Sequence, residues 1–190
     1  AKETAKRCGA FVAVNLACHD DGDLHNTTML FGRDGELLHR YNKVHLPPFE
    51  AQVLQAQRGN GEDIIFDSEG IRFGFLTCYD MYFGEFIEKL ASLRPDIILF
   101  PSYQRGEDIA NLYSQTRLCA NRCNAFVLRC SYSIGPDSIR GGCTHVASPA
   151  GDPVADFGQQ VGVLDCVIDP KQKNMRANGY GMPMVPADLF

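Results

Sequence analysis

The chain has no long apolar run, no cluster of basic residues and no Cys-x-x-Cys pair. Its longest apolar stretches are a handful of residues, whereas a helix that crosses a bilayer needs about 20, so no membrane-spanning helix is predicted. The formal net charge of -5 and the isoelectric point near 5.5 argue against nucleic acid as a partner, because a phosphate backbone binds positive surfaces. The missing cysteine pair makes a redox function the least favoured class.

Motifs for cofactors and metals are also missing from the sequence. Gly59-Asn60-Gly61 lacks the lysine and the helix that follow a phosphate-binding glycine loop. Cys119 and Cys123 lie on one predicted helix face without a nearby His or Cys pair, which favours helix core over a zinc site. The Cys and His residues near the N-terminus fit no established metal-site spacing. We therefore expect neither a cofactor nor a metal ion.

The composition is that of an ordinary globular protein, with 190 residues, 45% apolar and 22% charged. This length and composition favour a single folded domain. The eight cysteines lie in apolar stretches, which is typical of reduced thiols, and no secretory leader opens the chain, so a cytoplasmic location is predicted. Residues 1–7 resemble a helix without a capping residue, so we expect the natural N-terminus to lie further upstream.

The hydrophobic pattern alternates between strand and helix periods along the chain. Helices are predicted over residues 84–93 and 107–124. Strands are predicted over residues 12–16, 27–31, 36–41, 63–66, 71–77, 96–100, 125–130, 144–147, 154–156 and 161–168. This order predicts a layered α/β domain over residues 1–170, in which helices cover sheets, followed by an irregular tail over residues 171–190.

Cys78 stands at the end of the predicted strand 71–77, directly before a turn. Backbone N–H groups of such a turn favour a thiolate and donate hydrogen bonds to a developing oxyanion, so the position suits a nucleophile. The alternative is a small buried hydrophobic residue, which is the commoner role of a cysteine in a strand. The motifs in the rest of the chain favour the nucleophile.

Three motifs carry this preference: Tyr41-Asn42-Lys43-Val44-His45-Leu46 with Glu50 after it, Cys78-Tyr79-Asp80, and Phe83-Gly84-Glu85. Further matches are Asn26-Thr27, Asp34-Gly35, Arg94-Pro95-Asp96, Gly141-Gly142-Cys143 and Ser148-Pro149-Ala150-Gly151. Together they cover nearly the whole chain and resemble the nitrilase, or carbon-nitrogen hydrolase, superfamily. The resemblance implies an αββα sandwich that forms a homodimer or a higher homo-oligomer, with a small amide or nitrile as substrate.

The resemblance places two members of the family's Glu-Lys-Cys triad at Lys43 and Cys78, and a second family glutamate at Glu50. An ordinary thiol has a pKa of about 8.5, so a nearby ammonium raises the thiolate fraction at neutral pH. Lys43 and the backbone N–H of Tyr79 are expected to stabilise the charge of a tetrahedral intermediate. Glu50 is expected to hold Lys43 by a charge-assisted hydrogen bond. Without the motifs, Lys43 and Glu50 would be interpreted as surface residues.

Ser102 and Tyr103, followed by Gln104, lie where this family lines its substrate pocket. Their polar character favours an amide over an aromatic nitrile. The sequence departs from the family at residues 82–85, where Tyr-Phe-Gly-Glu stands in place of the Arg-Phe-Pro-Glu of many members. That motif therefore supplies no arginine for a substrate carboxylate.

The family's general base, a glutamate upstream of the lysine, has no match ahead of Lys43. Glu3 lies in a helix-like segment and Glu36 in a hairpin turn, so neither has the required context. We expect the N-terminal strand and helix that carry this base to lie outside the 190 residues. Without the base, a thioester forms slowly and its hydrolysis lacks a group that activates water.

The main hypothesis is an amidase that works through a cysteine thioester. The main alternative is a non-catalytic binding or scaffold protein of the same fold. A glutaminase domain that supplies ammonia to a partner synthetase is a third possibility, and activity toward glutamine would distinguish it. The tail over residues 171–190 is predicted either to reach a partner subunit or to stay free.

Overall fold

Two β-sheets stack face to face in the structure, a computed structural model that describes residues 1–104, 106–133, 141–177 and 183–187. The first sheet has three antiparallel strands in chain order. They are β1 Val12–Asp20, β2 Asp23–Phe31 and β3 Leu37–Asn42. The β1 and β2 strands are longer than predicted because the polar residues before the turn stay paired, with Cys18 opposite His25. The turn itself falls on Asp21 and Gly22, which both have positive φ.

The second sheet has six strands, also in chain order. They are β4 Ile65–Ser68, β5 Ile71–Phe75, β6 Ile97–Ser102, β7 Phe126–Ser131, β8 Thr144–Ala147 and β9 Pro153–Gly158. The middle strands β5, β6 and β7 are parallel, and the outer pairs are antiparallel. The parallel strands are connected by helices α2 Gly84–Ser92 and α3 Ile109–Cys123, because a parallel crossover needs a long connection.

The layers follow from which side chains are apolar. On α2 the buried residues are Phe86, Ile87 and Leu90, and on α3 the buried stripe includes Cys119 and Cys123, as the helical spacing predicts. Aromatic side chains join the two sheets, among them Tyr41 and Phe75, whose ring centroids are 6.1 Å apart. A short helix α1, Lys2–Cys8, packs against β1. The α/β prediction of an αββα sandwich is therefore confirmed.

Two expectations about the C-terminal part were wrong. Residues 161–168 form no strand, and the side chains of Val161, Val163 and Val167 are exposed. The apolar residues of this segment alternate, but no described strand lies beside it. Its backbone therefore forms no ladder of hydrogen bonds. The segment after residue 170 is not wholly irregular either, because β10 Met175–Ala177 and β11 Met184–Pro186 form an antiparallel pair. Residues 178–182 and 188–190 of the predicted tail lie outside the described residues.

The helices are short. The longest, α3, has 15 residues, and within the described ranges we find no helix with the length and apolarity that crossing a membrane requires.

Candidate active site

A cleft of about 1100 Å³ opens at the carboxyl ends of the parallel strands β5, β6 and β7. Chain segments that follow such strand ends meet at one edge of the sheet, which is why ligands bind there in many α/β proteins. The structure brings the predicted site residues together at this edge. The cleft is lined by Glu50, Cys78, Tyr79, Ser102 and Tyr103. The sixth, Lys43, is fully buried and contacts Glu50.

Cys78 begins a 3-10 turn, Cys78–Tyr82, and has a left-handed backbone with φ of 48°. A residue with a side chain pays about 1 kcal/mol or more in this region, so the surrounding structure must hold it there. Thr77 and Asp80 do so through a capping box, in which each side chain accepts a hydrogen bond from the backbone of the other. The first N–H groups of a helical turn have no acceptor within the turn. Cys78 itself lines the cleft.

Lys43 and Glu50 form a close ion pair at the cleft wall. The Lys43 ammonium donates to both carboxylate oxygens of Glu50, at 2.8 and 3.0 Å. The Lys43 side chain is 0% exposed and that of Glu50 19%. Asn26 donates to the same carboxylate at 3.3 Å, and Asn15 donates to Asn26 at 2.8 Å. The expected contact between Glu50 and Lys43 is thus present, and Asn26 supports it from the first sheet.

Asp80, the last residue of the Cys78-Tyr79-Asp80 motif, is a fully buried carboxylate. One oxygen accepts from the backbone N–H of His45 at 2.9 Å and lies 3.0 Å from its ring nitrogen Nδ1. The other accepts from the Tyr41 hydroxyl at 2.6 Å and from the Thr77 backbone N–H at 2.9 Å. Burial, together with the Asp80 carboxylate, raises the pKa of Tyr41 well above its usual value. Asp80 therefore ties the segment carrying Lys43 to the turn carrying Cys78.

Polar side chains linked by hydrogen bonds form another part of the cleft lining. The Ser102 hydroxyl donates to Gln104 Oε1 at 2.7 Å, and Gln104 Nε2 donates to the Tyr82 hydroxyl at 3.0 Å. The Tyr82 hydroxyl in turn donates to Glu107 at 2.5 Å. Burial and the Glu107 carboxylate raise the pKa of Tyr82 to about 12. Tyr103 is 40% exposed and packs edge-on against Tyr132.

Other polar groups bear less on this cleft. Glu3 and Glu36 are exposed and lie outside its lining. Cys130 adds a second thiol to the lining, and it is exposed. Across the described ranges, no three His, Cys, Asp or Glu side chains are grouped as a metal ion would require.

The model of the carbon-nitrogen hydrolase family matches residues 1–173 of the chain. The 2-oxoglutaramate amidase of Bacillus subtilis (strain 168) is 27% identical over 171 residues, which are 88% of this chain and 65% of that protein. Omega-amidase NIT2 of Homo sapiens is 26% identical over 180 residues, 90% of this chain and 65% of that protein. The chain thus spans less than two thirds of the length of these curated relatives.

Solved structures show the same fold. The NitN amidase from Nesterenkonia sp. AN1 superposes with a TM-score of 0.73 at 23% identity, over 86% of this chain and 64% of that one. Nit3 of Saccharomyces cerevisiae, a member of branch 10 of the nitrilase superfamily, superposes with a TM-score of 0.74 at 23% identity, over 86% and 61% of the two chains. With the family model covering nearly the whole chain, this protein belongs to the carbon-nitrogen hydrolase family.

Proposed function

We propose that the protein is an amidase, in which Cys78 forms a thioester with the acyl part of a small amide. The observation that carries the proposal is a strained cysteine at a strand end that lines the same cleft as Glu50, the ion-pair partner of the buried Lys43. A thiol, a fixed ammonium and backbone N–H groups are the parts that acyl transfer through cysteine requires. The amidase names of the relatives support this choice over a nitrilase.

In the first half of the reaction, Cys78 Sγ attacks the carbonyl carbon and a C–S bond forms. The electron pair of the C=O bond moves to oxygen, where the Lys43 ammonium and the Tyr79 backbone N–H stabilise the charge. The carbonyl then forms again and the C–N bond breaks. Ammonia leaves with the proton that the thiol released.

In the second half, water attacks the thioester, the C–S bond breaks, and the acid is released with the thiol restored. An amide and water thus give an acid and ammonia. By resemblance to the family, a glutamate carries the proton in both halves, and no residue ahead of Lys43 matches it. Glu50 orients Lys43 in this scheme and is not the base.

Further proposals concern the setting of the protein. A cytoplasmic location is supported by the eight cysteines, all of which are free thiols. Homo-oligomers, a hydrolase domain over residues 1–170 and a tail over residues 171–190 at a subunit contact are proposed from the family resemblance. Sedimentation velocity, with and without the tail, tests the homo-oligomer and the subunit contact of the tail.

An activated ester tests the nucleophile without the general base. The p-nitrophenolate group of p-nitrophenyl acetate leaves without a proton, so acylation requires only the reactive thiol. We expect a burst of p-nitrophenolate stoichiometric with the chain, followed by slow turnover, and an acetyl group on the Cys78 peptide by mass spectrometry. Cys78→Ala should abolish the burst, whereas Cys130→Ala, which removes the other thiol of the cleft, should retain it.

Two results would contradict the proposal. Acetylation spread over several cysteines, or a burst that survives in Cys78→Ala, would mean that Cys78 is not the nucleophile. The non-catalytic alternative would then take first place. Ammonia release from neutral and carboxylate-bearing amides, measured in the same preparations, reports whether the whole reaction proceeds.

A further inference from the structure

Asn15 on β1 is the branch point of a chain of side-chain hydrogen bonds along the cleft lining. Its Nδ2 group donates to Asn26 Oδ1 at 2.8 Å and to Thr28 Oγ1 at 3.1 Å. In the register of β1 and β2, Asn15 is directly opposite Thr28 and diagonal to Asn26, so the three side chains lie on one face of the sheet. The two N–H groups of a single amide thereby hold two side chains of β2.

The first branch from Asn15 leads to the Lys43–Glu50 pair. Because Asn26 Oδ1 accepts from Asn15, the Asn26 amide directs its own N–H group to Glu50 Oε1, at 3.3 Å. Within the described ranges, Lys43 and Asn26 are the residues that donate to this carboxylate. A lysine ammonium ends a long, flexible stem, so the position of the Glu50 carboxylate determines where the Lys43 charge lies.

The second branch leads to the turn that carries Cys78. Thr28 Oγ1 lies 3.1 Å from Thr77 Oγ1. The two threonines are 1% and 2% exposed, so bulk water does not replace this hydrogen bond when it is lost. Thr77 is the N-cap of the turn Cys78–Tyr82 and belongs to its capping box. Asn15 therefore connects the support of the Lys43 ammonium with the support of the Cys78 thiol.

Asp80 connects the same two segments at a different point. It accepts hydrogen bonds from residues on either side of Lys43, and it thus holds the lysine backbone. The first branch from Asn15 acts on the far end of the lysine side chain instead, through Glu50. An ammonium favours a thiolate only when the two groups are held near each other, so the reactivity of Cys78 depends on both connections.

We propose that Asn15 is a positioning residue, which keeps the Lys43 ammonium in register with the Cys78 thiol through Asn26 and Thr28. The role requires an amide, because the two branches need two donors on one short side chain. An aspartate carboxylate has none and a serine hydroxyl has one. Asn15 belongs to none of the sequence motifs. The inference rests on the proposed function for the roles of Lys43 and Cys78.

Alkylation of the thiol tests this inference without turnover. Iodoacetamide reacts with a thiolate, forming a C–S bond as iodide leaves, and peptide mass spectrometry of the intact chain after reaction gives the rate for each cysteine. In Asn15→Leu, which is similar in size but lacks both donors and adds no charge, we expect Cys78 to react roughly tenfold more slowly. Cys130, the other thiol of the cleft lining, is the internal control and should react at its wild-type rate.

Thr28 offers a matched pair of variants. Thr28→Val removes the hydroxyl at nearly constant shape and should slow the alkylation of Cys78 by a similar factor. Thr28→Ser keeps the hydroxyl and should stay within about twofold of the wild-type rate. The double variant Asn15→Leu with Thr28→Val should react about as slowly as either single variant, since one break already separates the two branches. Two unconnected structural effects would instead multiply.

Three results would overturn the inference: an unchanged rate at Cys78 in Asn15→Leu, an equal slowing at Cys130, or losses that multiply in the double variant. The burst with p-nitrophenyl acetate separates the inference from the proposed function. A burst at the wild-type rate in Asn15→Leu would refute the positioning role and leave the proposed hydrolysis standing. Slower alkylation of Cys78 in Asn15→Leu, in a protein that gives no burst even as the wild type, would support the positioning role and refute the proposed hydrolysis.

Discussion

At the scale of single residues, the Lys43–Glu50 pair is asymmetric. The Lys43 ammonium makes two short hydrogen bonds to Glu50, but Lys43 is fully buried whereas the Glu50 side chain is 19% exposed. A buried charge that loses its partner lowers the stability of the fold far more than a charge that water still reaches. Glu50 also has a second donor in Asn26. The two partners should therefore tolerate the loss of the other to different degrees.

We predict that Glu50→Gln destabilises the fold more than Lys43→Met. Glu50→Gln leaves a buried ammonium without its counter-ion and should cost about 3 kcal/mol of unfolding free energy. Lys43→Met leaves a carboxylate that water and Asn26 still reach, and should cost about 1 kcal/mol. Urea unfolding followed by circular dichroism measures both. If Lys43→Met lowers the unfolding free energy more than Glu50→Gln does, the difference in burial between the two side chains does not determine the cost of losing each one.

Motifs revealed only some of these residues. Cys78, Lys43 and Glu50 lie in sequence patterns whose residue types already suit acyl transfer. Asp80 stood in such a pattern, but its role depends on Tyr41 and His45 coming together in space. Arg129 lies in no motif, and only the folded structure shows that it is fully buried and that no carboxylate among the described residues forms an ion pair with it. Sequence reasoning finds reactive groups more easily than the groups that hold or tune them.

At the scale of elements, residues 161–168 have the sequence pattern of a β-strand but do not pair with any described strand. The apolar residues of this segment alternate, which predicts a strand. In the structure Leu164 and Ile168 pack against the core, while Val163 and Val167 are 88% and 96% exposed. Leu164 and Ile168 are only partly buried, and Cys166, which lies between them on the same side, is exposed. A ladder also needs a neighbour with free backbone groups, and none of the described strands lies alongside.

Hydrogen exchange should reveal this lack of pairing. We expect the backbone amides of residues 161–168 to exchange about a thousandfold faster than those of β7, which lies between two strands. Mass spectrometry at two protein concentrations provides the measurement and its control. If these amides are instead as protected from exchange as those of β7, and their protection rises with protein concentration, the segment pairs with another copy of the chain. The homo-oligomer proposal would then have to include that pairing.

At the scale of the whole molecule, the layered fold was the easiest feature to predict. Buried parallel strands, helices with one apolar stripe and Asp-Gly turns are all local signals, and each appears where the sequence places it. The tail was harder, because its path depends on distant residues. Lys173 donates to the carbonyl oxygens of Pro95 and Asn124, and Asn174 bonds to the Asn124 side chain. These contacts connect the tail to the start of β6 and the end of α3.

Asp96 is the charged centre of this connection. It is 6% exposed and accepts hydrogen bonds from Lys171 at 2.5 Å and from the Arg72 backbone at 2.9 Å. Burial acts to raise the pKa of Asp96, but the hydrogen bonds from Lys171 and Arg72, together with the charge of Lys173, hold the pKa below its usual value. An aspartate with a lowered pKa stabilises the fold above its unfolded pKa of about 3.9. That contribution is lost as the pH falls through the lower, folded value.

Asp96→Asn should therefore destabilise the protein at neutral pH and make its stability depend less on pH in the acidic range. We expect a loss of about 1 to 3 kcal/mol at pH 7, since the amide cannot replace a carboxylate between two lysines. The stabilities of the variant and the wild type should converge as the pH falls below about 3.9.

Asp67→Asn is the matched control. The pKa of Asp67, like that of Asp96, lies below its usual value, here because of the hydrogen bond from Arg72. Unlike Asp96, however, Asp67 has a side chain that is 60% exposed. Solvent screening should limit its loss to about 0.5 kcal/mol. Urea midpoints from pH 7 to pH 3 measure both variants, and equal losses would mean that the buried connection between tail and core adds nothing beyond a surface ion pair.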